Sequence, residues 1–100
     1  MVEKRTLYVI LYDYYGELIS DKKRMIFEDY YFNNLSLSEI ADNNNISRND
    51  IHKTIKNVEE KLAEYEKKLK LYEKEEKIKS IISEIEDVEL REKIKKVYEG

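Results

Sequence analysis

The chain has 100 residues, a formal net charge of −3 and equal 41% shares of hydrophobic and charged side chains, which fits one domain with a modest core and room for a tail. It contains no Cys, which excludes disulfides, thiolate chemistry and Cys-based metal sites. No apolar run approaches the ~18 residues of a membrane span, and no cleavage-site pattern follows Leu7–Tyr12, so a cytoplasmic protein is expected.

Pro is absent and Gly occurs twice, so little interrupts helices, and Lys, Glu, Ile and Leu favour them. Leu7, Ile10, Leu11, Tyr14, Tyr15 and Leu18 recur at helical spacing, which predicts a first core helix over 6–18 ending near Gly16 to Ser20. Ser20 and Asp21 are N-cap candidates for a second helix, Lys22–Phe32. Its inward side chains are expected to be Met25, Ile26 and Tyr30, with Phe27 and Tyr31 as further candidates. Asn33-Asn34 marks a turn.

Residues 36–58 read as a helix-turn-helix. Ser36 and Glu39 form a capping-box pattern, and Leu37, Ile40 and Ala41 give a short apolar face. Asn43-Asn44-Asn45 forms the turn, and Asn45 tolerates the left-handed conformation needed there. Ile46 buries, and Ser47 caps the next helix with Asp50 three positions on.

That helix does not stop at the motif. Ile51, Ile55, Val58, Leu62, Tyr65, Leu69 and Tyr72 alternate in steps of four and three, a heptad pattern. A helix over 48–72 would be ~37 Å long. Its first half can bury against the motif, and its second half is expected to need another partner. The charge run Glu73–Lys77 reads as a break, Ile78, Ile81, Ile82, Ile85 and Val88 as a further amphipathic helix, and Asp87 as the cap of a last one carrying Leu90, Ile94 and Val97. The fold class is therefore all-α: a bundle built on a helix-turn-helix, with a long third helix extended by C-terminal helices. The expected organisation is a helical bundle over 1–58 and a dimerising or back-packing segment over 59–100.

With Ile46, Ile51 and Ile55 inward, Ser47, Arg48, Asn49, His52, Lys53 and Lys56 form the candidate nucleic-acid-reading face. Lys22, Lys23 and Arg24 form a second basic cluster suited to a backbone. The acidic balance of residues 59–76 weighs against extensive contact with phosphates. The single His makes a poor metal signal, no cofactor motif is present, and carboxylates interleaved with Lys at i, i+4 spacing read as exposed ion pairs, so no enzyme is expected. An apolar stripe on a long helix needs cover. A homodimer is expected, with Leu62, Tyr65, Leu69, Tyr72, Ile78, Ile81, Ile82 and Ile85 as interface candidates.

Three segments, Leu35–Ala41, Ile46–Arg48 and Ile55–Leu69, resemble the YlxM family of bacterial helix-turn-helix proteins, and the preceding Lys22–Arg24 and Tyr30-Tyr31 fit the same pattern. The motif also resembles the promoter-reading C-terminal region of sigma factors. Asn44 stands where the motif usually has an apolar residue, and His52 where family members often carry Tyr. The YlxM resemblance implies an accessory or regulator of the signal recognition particle pathway, with the particle's GTPase or its RNA as partner. The motif alone also allows a transcriptional regulator bound to duplex DNA, and the acidic balance allows a protein-only adaptor.

Overall fold

A computed structural model describes residues 2–99, with side chains through Val97. Six α-helices occur among the described residues: α1 (Lys4–Tyr15), α2 (Asp21–Tyr31), α3 (Leu37–Asn44), α4 (Arg48–Leu69), α5 (Leu71–Ser83) and α6 (Val88–Glu99). The chain forms two compact units that divide between Leu69 and Lys70. The whole of α4 thus belongs to the first unit, whereas the heptad pattern suggested a division near residue 58.

In the first unit, α4 packs against α1, α2 and α3. One core cluster joins Ile26 of α2, Ile40 and Ala41 of α3, and Ile51 and Ile55 of α4, with Tyr30, Tyr31, Leu35, Leu37 and Ile46 packed around it. The motif's apolar positions therefore do what their spacing predicts. Ala41 is 6% exposed, and its small side chain suits the close approach of α3 to α4.

An aromatic layer links α1 to α2. The Phe27 ring stacks on Tyr12 at 4.7 Å and on Tyr31 at 4.3 Å between centroids, with Phe32 edge-on at 6.4 Å. Phe27 and Ile26 are buried, whereas Met25 is exposed, contrary to the expected inward set. Consecutive helical residues point ~100° apart, so the buried pair Ile26-Phe27 turns Met25 toward water. Leu18 is likewise exposed and Ile19 buried instead. The reason is local: α1 ends at Tyr15, a 3₁₀ turn follows at Gly16–Leu18, and the helical phase is lost before Leu18.

As far as Glu66, the second half of α4 finds its cover within the same unit. Val58 and Leu62 are fully buried, the Tyr65 ring lies 5.9 Å from that of Tyr15, and the Tyr15 hydroxyl donates to Glu66 Oε1 at 2.6 Å. Helix α1 thus supplies what the heptad pattern assigned to another partner. Lys70 then adopts the left-handed conformation at φ 57° and ends the run. The expected break at Glu73–Lys77 lies inside α5, where Glu73 and Lys77 pair at 3.2 Å in i, i+4 register.

The second unit is a helical hairpin of α5 and α6. Among the described residues of this unit Ile82 is the buried one, and Ile85 and Val88 fall outside α5. Asp87 Oδ1 accepts from the Leu90 N–H at 3.1 Å, the cap expected for the last helix. Ile78, Ile81, Val88, Leu90 and Val97 are exposed.

Candidate nucleic-acid interface

The geometry of the helix-turn-helix follows from its two caps and the turn between them. Ser36 Oγ accepts from the Glu39 N–H at 3.1 Å, and Glu39 Oε1 accepts from the Ser36 N–H at 3.0 Å, completing the capping box. These bonds to Ser36, backbone first and side chain second, hold the Glu39 carboxyl below its ordinary value. Asn45 is left-handed at φ 58°, and the Asn45 and Ile46 N–H groups return to Asp42 and Ala41 carbonyls at 3.4 and 3.2 Å. That is the Schellman closure, which satisfies the last carbonyls of α3. Asn44, polar where an apolar residue is usual, donates from Nδ2 to the Ile40 carbonyl at 2.7 Å, so its amide is spent on the same helix end. Ser47 Oγ then accepts from the Asp50 N–H at 3.0 Å and opens α4.

Burial of Ile51, Ile55 and Val58 fixes the rotation of α4. As a result Ser47, Arg48, Asn49, His52, Lys53 and Lys56 are all exposed. Arg48, His52 and Lys56 form one row at i, i+4, i+8, spanning ~12 Å, with Asn49 and Lys53 beside them. Among the described residues, Arg48 and Lys53 make no ion pair, while Lys56 Nζ lies 3.6 Å from Glu59 Oε1. Leu37, Arg48, Asn49 and His52 line an open groove where the starts of α3 and α4 meet. Guanidinium, amide and imidazole groups in that position match the donors and acceptors of base edges, and Leu37 offers an apolar contact.

The second basic cluster is dispersed by its own bonds. Lys22 is exposed, but Lys23 Nζ donates to Asn57 Oδ1 at 2.9 Å and so ties α2 to α4. Arg24 Nε donates to the Tyr12 hydroxyl at 3.2 Å, and that hydroxyl donates in turn to Glu28. Sequence reading overlooked a different basic group, Lys4 and Arg5 on α1, beside Tyr8. Their only sequence signal is the adjacent pair of cations near the start of the chain.

The interface candidates for a second copy fare unevenly. Leu62 and Ile82 are already covered by this chain, Tyr65, Tyr72 and Ile85 are half-buried, and Leu69, Ile78 and Ile81 are exposed. Among the described residues no cluster of three or more metal-ligating side chains occurs, and no helix is long and apolar enough to cross a membrane.

A short helix joined through a left-handed turn to a longer one, which lies across a core and shows a polar, cationic face, defines a helix-turn-helix protein. The chain belongs to the UPF0122 family, the YlxM / p13-like helix-turn-helix proteins, whose model matches residues 2–99. It is 45% identical over 85 residues to a UPF0122 protein of Malacoplasma penetrans, covering 85% of this chain and 79% of that one. A UPF0122 protein of Bacillus cereus strain AH187 is 40% identical over 107 aligned positions, covering 100% of this chain and 96% of the relative. One from Caldanaerobacter subterraneus is 43% identical over 78 residues, covering 78% of this chain and 67% of that one.

Proposed function

We propose that the protein is a cytoplasmic accessory regulator of the signal recognition particle pathway that binds nucleic acid through the exposed face of α4. The observation that carries nucleic-acid binding is the single-face display of Ser47, Arg48, Asn49, His52, Lys53 and Lys56. Three cations stand there against Asp50 alone over residues 47–57, in a chain whose net charge is −3. A local basic face can work within an acidic whole because fields from exposed charges fade within ~10 Å at ordinary salt. The pathway assignment is supported by the resemblance to the YlxM family. The first partner to test is the particle's RNA, alone or with its GTPase.

The expected result is salt-sensitive binding. If Arg48, Lys53 and Lys56 each neutralise one phosphate, the logarithm of affinity falls with that of salt at a slope of about −3 on duplex. The double variant Arg48→Ala/Lys53→Ala should flatten that slope by roughly 2. Retention of particle RNA over random duplex in a pull-down supports the pathway; retention of neither particle component overturns it. The groove at Leu37, Arg48, Asn49 and His52 favours a second reading, a duplex-DNA-binding regulator. Preference for one duplex sequence over the particle's RNA would select that reading.

The same proposal includes a homodimer joined through exposed apolar side chains, with Leu69 as the candidate on the first unit and Ile78 and Ile81 as candidates on the second. Two reading helices in one particle raise affinity without new contacts. Leu69→Asp should convert dimer to monomer in light scattering. A wild-type chain that is already monomeric at micromolar concentration removes the dimer.

A further inference from the structure

A second groove lies where α1, the end of α2 and the middle of α4 converge. Lys4, Arg5, Tyr8, Tyr30, Tyr31 and Lys56 line it, together with the carboxylates of Glu3 and Glu59. Its volume is about 330 Å³, at the small end of the ~300–1,000 Å³ range of ligand clefts. That suits one unit of a sugar-phosphate chain better than a whole duplex.

The cations here are held in different ways. The Arg5 guanidinium lies 4.5 Å from the Tyr31 ring centroid and 5.3 Å from that of Tyr30. Its Nη2 donates to the Tyr30 carbonyl at 3.3 Å, which turns it toward the end of α2. Arg5 nevertheless remains exposed. Lys4 is exposed too and, among the described residues, makes no ion pair. Glu59 offsets Lys56 rather than Lys4 or Arg5. Its carboxylate accepts from the Tyr31 hydroxyl and pairs with Lys56. Only Glu3 stands exposed as an opposing charge on the rim.

Lys56 belongs both to this groove and to the Arg48–His52–Lys56 row of α4. The two surfaces are therefore contiguous. The ~12 Å row covers about three to four base steps at 3.4 Å along one strand. A strand lying along that row and continuing past Lys56 would reach the groove.

We infer that this groove is a backbone clasp: Lys4, Arg5 and Lys56, with the Tyr8 hydroxyl, hold phosphodiester groups of the strand whose bases face α4. The inference rests on the proposed nucleic-acid binding and adds a sequence-independent contact on α1. Contacts of this kind set register and raise affinity without selecting bases.

The test measures binding of a labelled random-sequence duplex DNA and a labelled single-stranded RNA over a range of salt. Lys4→Gln should flatten the salt slope by about 0.9 on duplex or about 0.7 on single strand. The loss should be similar for every sequence tried. Glu3→Gln should tighten binding, and Lys61→Gln, an exposed α4 cation outside the groove, should leave the slope unchanged. Both groove substitutions lie on exposed side chains, and an unchanged helical melt confirms that folding is intact. If wild type binds a probe and neither Lys4→Gln nor Glu3→Gln alters affinity or slope, the clasp is overturned while the α4 face stands. If wild type binds neither probe, the nucleic-acid reading fails and the clasp fails with it.

Discussion

Phe27→Ala should cost the first unit ~3–5 kcal/mol, the range for emptying a buried aromatic site. Phe27 is 0% exposed and stacks with Tyr12 and Tyr31, so its removal opens the contact between α1 and α2. The neighbouring rings cannot collapse into the space freely. Tyr12 is held by Arg24 and Glu28, and Tyr31 by Glu59. Small domains have only ~5–15 kcal/mol of stability in total. At ~4–8 °C per kcal/mol for 60–100 residues, the thermal midpoint should drop by at least about 12 °C in circular dichroism. A drop of only a few degrees would show that the aromatic layer is not part of the cooperative core.

Tyr31→Phe carries the second large effect, for a different reason. Glu59 is 8% exposed, and its carboxylate is served by the Tyr31 hydroxyl and by Lys56 at 3.6 Å. Taking away the hydroxyl leaves a buried acceptor short of a donor, at a cost of about 1–3 kcal/mol. A urea titration that shows less than about 0.5 kcal/mol, the usual surface range, would sink this account. The pH dependence adds a signature. Burial first, and the bond to Glu59 second, raise the Tyr31 hydroxyl well above its ordinary value of 10.0. The unfolded chain releases that proton near pH ~10 while the folded one keeps it. The associated stability is therefore complete below about pH 10 and is lost as pH rises toward the higher folded value. Tyr31→Phe should remove this alkaline component. Part of the alkaline loss should persist through Tyr12, whose value is raised chiefly by burial; its Arg24 bond opposes that shift and its Glu28 bond adds to it.

Much of this fold is legible in individual residues. Ser36, Glu39 and Ser47 mark the two helix starts because a hydroxyl three positions before a backbone N–H satisfies it wherever the rest of the chain lies. Asn45 marks the turn because few side chains accept a left-handed backbone. Ile51, Ile55 and Val58 fix which side of α4 meets the core, and hence which side is left for a partner.

The rest depends on contacts that spacing does not encode. Leu62 and Tyr65 continue a heptad seam, and α1 covers it as readily as a second copy would. Lys70 carries no mark of the left-handed break it makes. The Glu73–Lys77 run looked like an interruption because it is charged, yet opposite charges four apart support the helix they occupy. The Lys4–Tyr8–Lys56 groove draws on three separate segments, so no local window contains it. The dispersal of Lys23 and Arg24 was equally hidden, since their acceptors, Asn57 and Tyr12, are distant in sequence.

Helix α4 is both the shaft of the core and the carrier of the exposed face: it touches α1, α2 and α3 on one side and presents Arg48, His52 and Lys56 on the other. Occupancy and folding are thereby one linked equilibrium. A partner at a hundred times its dissociation constant would add ~2.7 kcal/mol to the unit's stability. Conversely, a core substitution that lowers the folded fraction weakens apparent affinity without touching the partner. A fall in binding after a change at Ile51 or Ile55 is thus evidence about the scaffold, while only changes that leave the melt intact map the surface.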